Sequence, residues 1–204
     1  MEKLKAEHAD CEMTFDCKSF RGIGGFRRAQ SQPGNVKTNK LLNDLPIYLK
    51  GFDRKCRGIP GYAFSVFVVL DNDKRNTDEL RQQLNRITLE NDIAIDHAYC
   101  IAIEEMEAWL LGDREALLRA YPQARQAVLN AYQQDSICGT WEKLADAVYR
   151  GGIAKFKKTC PTYTEVGRAK AEWAREIGQH MDIHRNHSPS FCEFISKLEE
   201  RLPA

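Results

Sequence analysis

Two clusters of carboxylates follow the most apolar stretches of this 204-residue chain. One comes after the run 66–70 and the other after the run 98–103, and the five side chains are Asp71, Asp73, Glu104, Glu105 and Glu107. Carboxylate oxygens are the ligands that Mg²⁺ prefers in proteins, and a metal held in this way can neutralise and orient a phosphate group. The five residues therefore predict a site for Mg²⁺, or for Mn²⁺.

Both apolar runs are predicted to form buried strands of a parallel sheet. Residues 66–70 are bulky and mostly β-branched or aromatic, which is typical of a strand with both faces covered by helices. A helix over Thr77–Glu90, with its large apolar side chains on one face, is predicted between the two runs. Because the carboxyl ends of parallel strands lie at one edge of a sheet, we expect the two acidic clusters to meet there.

The same residues also have a structural explanation. Asp71 and Asn76 can shape a turn and cap the next helix, and the helix dipole favours glutamates in a first helical turn. If a helix begins at Glu104, then Glu104 and Glu107 are three residues apart and share one face. The recurrence of acidic residues at the ends of two buried strands favours the metal site over this explanation.

The rest of the chain is predicted to be mostly helical. Partial alternation over 12–20 indicates a further strand, and leucines at helical spacing over 36–51 indicate a helix that crosses over to the run 66–70, with a kink or a restart at Pro46. Beyond residue 112 one helix follows another. The predicted N-caps are Asp113, Thr140, Thr162 (with Glu165 as a capping box) and, for the last helix, either Ser188 or Ser190 with Glu193.

A glycine-rich basic loop over 21–28 is a candidate phosphate-binding segment. Its backbone amides can approach a phosphate, but it lacks the Gly-Lys-Ser/Thr ending of a P-loop, and a simple turn explains it as well. The candidate contacts to phosphate or nucleic acid are Arg21, Gly22, Gly24, Lys74 and Arg75. An exposed surface role for each of them is an equal alternative.

Composition restricts the class of protein. Thirty basic and 29 acidic residues give a formal charge of +1, so the net charge gives no argument for nucleic-acid binding. The seven cysteines are scattered without a CxxC pair, which is typical of reduced thiols. No apolar stretch is long enough to span a membrane, and the N-terminus does not resemble a signal peptide, so we expect a cytoplasmic protein.

Five short motifs follow one another along the chain, namely Phe20-Arg-Gly-Ile-Gly24, Val68-Val-Leu-Asp-Asn-Asp73, Ile101-Ala-Ile-Glu-Glu-Met-Glu-Ala-Trp-Leu110, Gly139-Thr-Trp-Glu142 and His180-Met-Asp182 with Asn186-x-Ser-Pro-Ser-Phe191. Together they resemble a bacterial Toprim-like family of unknown function, often encoded beside ATPases in phage-defence or mobile-element loci. The similarity covers nearly the whole chain, and its most specific part is the segment 101–110.

The resemblance implies a fold and a division of the chain. The fold would be α/β and Toprim-like, a small, mostly parallel sheet with helices on both faces, followed by a helical C-terminal part. Residues 1–112 would form the core, and residues 113–204 would form a helical extension packed on it. Asp71 and Asp73 match the Asp-x-Asp that holds Mg²⁺ in such domains, and Glu104, Glu105 and Glu107 match the family's own acidic motif.

The sequence departs from the Toprim pattern at its beginning. Relatives start with an apolar strand that ends in a glutamate, whereas here Glu2 and Glu7 lie in a different context. Three explanations are open: Met1 is an internal start of the gene, the sheet is rearranged, or another chain supplies the strand. The first of these is the preferred hypothesis.

The resemblance implies a metal-dependent, nuclease-type protein that cleaves phosphodiesters in DNA or RNA, acts in bacterial defence and works with an ATPase partner. In that function Asp71, Asp73, Glu104 and Glu107 would be its catalytic residues. An alternative from another class is a non-catalytic regulatory or binding subunit with a vestigial acidic edge. A phosphatase-like hydrolase is a third hypothesis, although the residues after Asp71 lack the context that a phosphoryl-accepting aspartate has in such enzymes.

Overall fold

A computed structural model describes residues 1–26 and 38–202. Along this part of the chain the elements are α1 (Glu2–Glu7), α2 (Leu41–Cys56), β1 (Ser65–Asp71), α3 (Thr77–Glu90), β2 (Asp96–Ala102), α4 (Glu107–Gly112), α5 (Arg114–Ala120), α6 (Gln126–Ala131), α7 (Thr140–Val148), α8 (Gly152–Thr159), α9 (Tyr163–Gly178) and α10 (Pro189–Glu199). No helix within these residues is both long and apolar enough to cross a membrane.

The described residues form two compact units. The first contains residues 1–70 and 75–100, and the second contains residues 71–74 and 101–202. The tips of β1 and β2 therefore belong to the second unit, together with α4 to α10. The predicted boundary between residues 112 and 113 concerns a different division and stays a prediction.

The sheet consists of β1 and β2, which are paired and parallel, as predicted from the two apolar runs. The predicted α/β class is thereby confirmed. Pairing continues beyond the strands, because the Asn72 N–H donates to the Ala102 carbonyl (3.1 Å) and the Asp73 N–H donates to the Glu104 carbonyl (3.0 Å). Both acidic clusters consequently begin at the same edge of the sheet.

The buried apolar side chains of the first unit include leucines of two helices, α2 and α3, in which they recur at helical spacing. Leu42 and Leu49 of α2 and Leu80 and Leu84 of α3 are buried. The helix α3 has the bounds predicted for it, and the Asn76 side chain caps it by accepting from the Glu79 N–H. Pro46 lies inside α2, which continues past it to Cys56.

The second unit is a helical assembly around a separate apolar cluster. Among its most enclosed members are Leu117, Leu144, Ala145, Phe156 and Ile177, contributed by the four helices α5, α7, α8 and α9. Helices α4 to α8 are each six to nine residues long, whereas α9 and α10 are longer, and local caps begin several of them.

The predicted caps of this unit are largely confirmed. Asp113 caps α5, Ser188 caps α10, and Thr162 forms a capping box with Glu165 at α9. Thr140 is an exception, because the N-cap of α7 is Gly139, whose φ of 77° lies in the left-handed region that suits glycine. Thr140 is the first residue of the helix, and its hydroxyl donates a hydrogen bond to the carboxylate of Glu104.

The strand predicted over 12–20 is wrong. These residues have no regular secondary structure, and most of their side chains, including that of Phe15, are exposed. Alternation alone does not make a strand when no neighbouring strand accepts its backbone hydrogen bonds.

Candidate active site

The carboxylate of Glu104 is buried and its hydrogen bonds all go to one loop. The N–H groups of Cys138 (3.0 Å), Gly139 (2.9 Å) and Thr140 (2.8 Å) donate to it, and the Thr140 hydroxyl donates as well. Although burial opposes ionisation, these donors hold the pKa of Glu104 below its ordinary value. The side chain therefore fixes the start of α7 to the end of β2.

The backbone at Glu104 is turned so that this contact can form. Its φ is 60°, which a non-glycine residue rarely adopts. Its own N–H donates to the side chain of Asn72 (2.5 Å), which is 1% exposed. The middle residue of the Asp-Asn-Asp motif thus has a structural part, because it holds the Glu104 turn at the end of the neighbouring strand.

The next two glutamates point to a different partner, Lys170 of α9. The Lys170 Nζ lies 3.2 Å from Glu105 Oε1 and 3.0 Å from Glu107 Oε2. Glu105 also accepts from the Trp141 N–H (3.1 Å). Burial would lower the pKa of Lys170, but the charges of Glu107 and Glu105 outweigh it and raise the pKa above its ordinary value.

Asp71, at the tip of β1, lies in the electrostatic field of the same group. Its Oδ1 is buried and, among the described residues, has no hydrogen-bond partner. Burial and the charges of Glu107 and Glu105 raise the pKa of Asp71 to about 7, against the opposing effects of Lys170 and of a hydrogen bond from the Met106 N–H. Three carboxylates and one ammonium group thus form the cluster that we call the acidic pocket: Asp71, Glu105, Glu107 and Lys170.

The remaining candidate residues lie outside the acidic pocket. Asp73 is exposed, with a φ of 51°, and Lys74 beside it is exposed as well. Arg75 is exposed and belongs to the first unit. The phosphate contacts predicted for Lys74 and Arg75 stay predictions.

The glycine loop also belongs to the first unit. Gly22 and Gly24 have positive φ values, and the carbonyls of Gly22 and Ile23 accept from the first amides of α2. Arg21 is exposed and its N–H donates to the Asn39 carbonyl. Residues 27 and 28, which completed the basic loop in the sequence, lie outside the described residues. The loop is therefore built into the start of α2, and its phosphate-binding role stays a prediction.

The sequence left open a helix that begins at Glu104 and carries Glu104 and Glu107 on one face, and the structure does not have this helix. Helix α4 begins only at Glu107, and the left-handed turn at Glu104 sends its side chain to residues 138–140. The reasoning also missed Lys170 and Asn72. The sequence contained one indication of these contacts, because the segments 101–110 and 139–142 are both among the motifs that carry the resemblance. In the structure, Glu104 and Glu105 accept hydrogen bonds from residues 139–141.

The acidic pocket was tested for its fit to a divalent metal ion. Within the described residues no three His, Cys, Asp or Glu side chains stand in an arrangement that could hold a metal as they are. Glu104 does not fit, because its oxygens are already bound by residues 138–140. Asp71, Glu105 and Glu107 fit in their chemistry, because their charges act on one another and one Asp71 oxygen lacks a partner.

The structural part assigned to Glu104 gives a stability prediction. Glu104→Gln should lower the free energy of unfolding by about 2–4 kcal/mol, because an amide NH₂ would face donors that now share a charged acceptor. Urea unfolding followed by tryptophan fluorescence measures this, since Trp109, Trp141 and Trp173 all belong to the second unit. Glu142→Gln, in the first turn of α7, is the control and should cost less than about 1 kcal/mol. A Glu104→Gln protein as stable as the wild type would contradict the assignment.

The raised pKa of Asp71 gives a pH prediction. Its folded pKa of about 7 exceeds the unfolded value, so its favourable contribution is complete in acid and is lost as the pH rises towards 7. In a chelating buffer, Asp71→Asn should therefore gain about 2 kcal/mol of stability relative to the wild type between pH 5 and pH 8. The measurement is urea unfolding of both proteins across this range. A difference that does not change with pH would contradict it.

Comparisons with known proteins were made for the whole chain. Searches of curated proteins and of solved structures each gave no match. The family described as "Domain of unknown function (DUF4276)" matches residues 18–199, which include both strands and every residue of the acidic pocket. The chain belongs to this family, whose function is not characterised.

Proposed function

We propose that this protein is a Toprim-like, metal-dependent, nuclease-type protein that cleaves phosphodiesters. The observation that carries the proposal is Asp71, whose Oδ1 is buried without a partner among the described residues, beside two glutamates that raise its pKa. A concentration of carboxylates at the carboxyl edge of parallel strands is costly unless a cation compensates it. A divalent cation, Mg²⁺ or Mn²⁺, is the natural ligand of such oxygens.

The proposal divides the acidic residues into two roles. Asp71, Glu105 and Glu107 hold the metal, and Glu104 positions the turn from which Glu105 and Glu107 project. When bound, the metal neutralises the scissile phosphate and lowers the pKa of an attacking water. The proposal assigns a contact with a substrate phosphate to Lys74, which is exposed on the loop after β1 in the same unit, whereas Asp73 is the least enclosed of the predicted ligands.

The biological setting is proposed from the sequence resemblance alone. Families with these motifs are associated with defence loci and with an ATPase, so we propose DNA or RNA as substrate and an ATPase subunit as partner in the cytoplasm. The substrate class and the partner are independent of each other. The cleavage assay is therefore designed both with and without an ATPase of the kind that the resemblance implies.

The decisive experiment is a cleavage assay on DNA and RNA with Mg²⁺ or Mn²⁺. Asp71→Asn and Glu107→Gln should each lower the cleavage rate at least about a hundredfold, because each removes a charge that holds the metal at the reacting phosphate. Glu90→Gln is a matched control, because Glu90 is an exposed glutamate of α3 in the first unit. It should cleave at the wild-type rate.

Two results would contradict the proposal. One is a wild-type protein that cleaves neither nucleic acid with either metal, with and without the ATPase. The other is cleavage that survives both substitutions unchanged. Circular dichroism of each variant confirms that a lost activity does not reflect a lost fold.

A second candidate function is a non-catalytic regulatory or binding subunit. The observation that favours it is Lys170, whose ammonium group already compensates Glu105 and Glu107 in the acidic pocket. Under this function the protein binds its partner, and calorimetric titration detects no Mg²⁺ site that Asp71→Asn removes.

A further inference from the structure

Lys170 forms ion pairs with two of the carboxylates that the proposal assigns to the metal ion. Its Nζ lies within 3.2 Å of carboxylate oxygens of both Glu105 and Glu107, and its charge also acts on Asp71. It reaches this position from the middle of α9, 65 residues after Glu105. No other basic side chain is recorded within ion-pair distance of these two glutamates in the part of the chain that the structure describes.

An ammonium group and a divalent cation compete for the same oxygens. Both are attracted by the carboxylates of the acidic pocket, and they repel each other at the short distances that shared carboxylates impose. Glu107 is 8% exposed at its side chain, so solvent screens this repulsion poorly. The two cations therefore exclude each other from the acidic pocket.

The lysine side chain is able to leave. Its four-carbon stem is flexible, and 27% of its surface is already exposed, so the ammonium group has a path to water. The carboxylates are less free, because the Trp141 N–H holds Glu105 and the first turn of α4 carries Glu107. Withdrawal of Lys170 is thus the smaller rearrangement.

We propose that Lys170 is the resident counter-ion of the acidic pocket and that a divalent cation binds only when the Lys170 side chain withdraws, so that Lys170 sets the metal affinity of the site. This inference rests on the proposed function, because it concerns the same three carboxylates. It adds a regulatory element, since whatever draws Lys170 away, such as a substrate phosphate, opens the site to metal.

The test is a titration with Mn²⁺ alone, followed by the electron paramagnetic resonance signal of the free ion. Lys170→Met should bind Mn²⁺ at least about tenfold more tightly than the wild type, because a competing positive charge has been removed from a poorly screened position. Arg168→Met is the matched control, because it removes one positive charge from an exposed position of the same helix. It should change the affinity less than about twofold.

The double variant Lys170→Met, Glu107→Gln tests whether the gain in Mn²⁺ affinity depends on the Glu107 carboxylate. It should lose that gain in affinity. If Lys170→Met does not fold, Lys170→Gln replaces it. Crystals of the wild-type protein soaked in Mn²⁺ give a further measurement without any substitution. We expect the ion among the carboxylates of the acidic pocket, with the Lys170 Nζ displaced from Glu105 and Glu107.

The outcomes separate this inference from the proposed function. Equal or weaker binding by Lys170→Met, or a soaked crystal in which both ion pairs persist beside the metal, overturns the inference and leaves the metal site standing. No binding by either protein, together with no cleavage, overturns the metal site and the inference with it. Binding by Lys170→Met alone supports the inference and shows that the wild-type site is closed without a further factor.

Discussion

The buried carboxylate of Glu104 is the contact on which the candidate site depends. A buried charge is tolerated only when hydrogen bonds satisfy it, and here the amides of residues 138–140 and the Thr140 hydroxyl do so. The contact joins the end of β2 to the start of α7 across more than 30 residues. It also requires the left-handed backbone at Glu104, which ends the strand and lets the chain start α4 at Glu107. One side chain thereby sets the direction of the two glutamates that follow.

The same turn separates the acidic residues into two electrostatic environments. Glu104 receives only donors, and its pKa is lowered although it is buried. Asp71 lies beside other carboxylates with little compensation, and burial with the charge of Glu107 raises its pKa to about 7. Acids from the two acidic clusters therefore differ in what they can do. Glu104 holds structure together, whereas Asp71 and Glu107 are the acids to which the proposal assigns a cation.

The features that the sequence predicted correctly are mostly those set by residues close together in the chain. The apolar run before Asp71 and the cap at Asn76 depend on residues within one element, so the strand and α3 could be predicted with their positions. The meeting of the acidic clusters also followed, because parallel strands share a carboxyl edge. The strand predicted over 12–20 failed because a strand needs a neighbour, and alternation in one segment carries no information about a neighbour.

The parts of the site that escaped prediction depend on distant residues. Lys170 looks like any polar residue of an amphipathic helix, and only the packing of α9 against α4 brings it to Glu105 and Glu107. The turn at Glu104 is equally hidden, because a positive φ is usually signalled by glycine or asparagine and here a glutamate adopts it. The sequence therefore indicated which acidic residues lie at the edge of the sheet, but not which of them form ion pairs or hydrogen bonds with distant residues.

The position of Lys170 connects stability to function. A cluster of three carboxylates without a cation would oppose folding, so the protein gains from an internal positive charge whenever no metal is bound. A metal that binds the folded state would add stability of its own, but only after displacing the contribution of Lys170. The affinity for metal is then the difference between two favourable states of the same pocket, and not the strength of the metal–carboxylate contacts alone. For this reason the two candidate functions differ physically in one quantity, the free energy of withdrawing Lys170 from Glu105 and Glu107. A low value makes the acidic pocket a metal site, and a high value makes it a closed structural cluster.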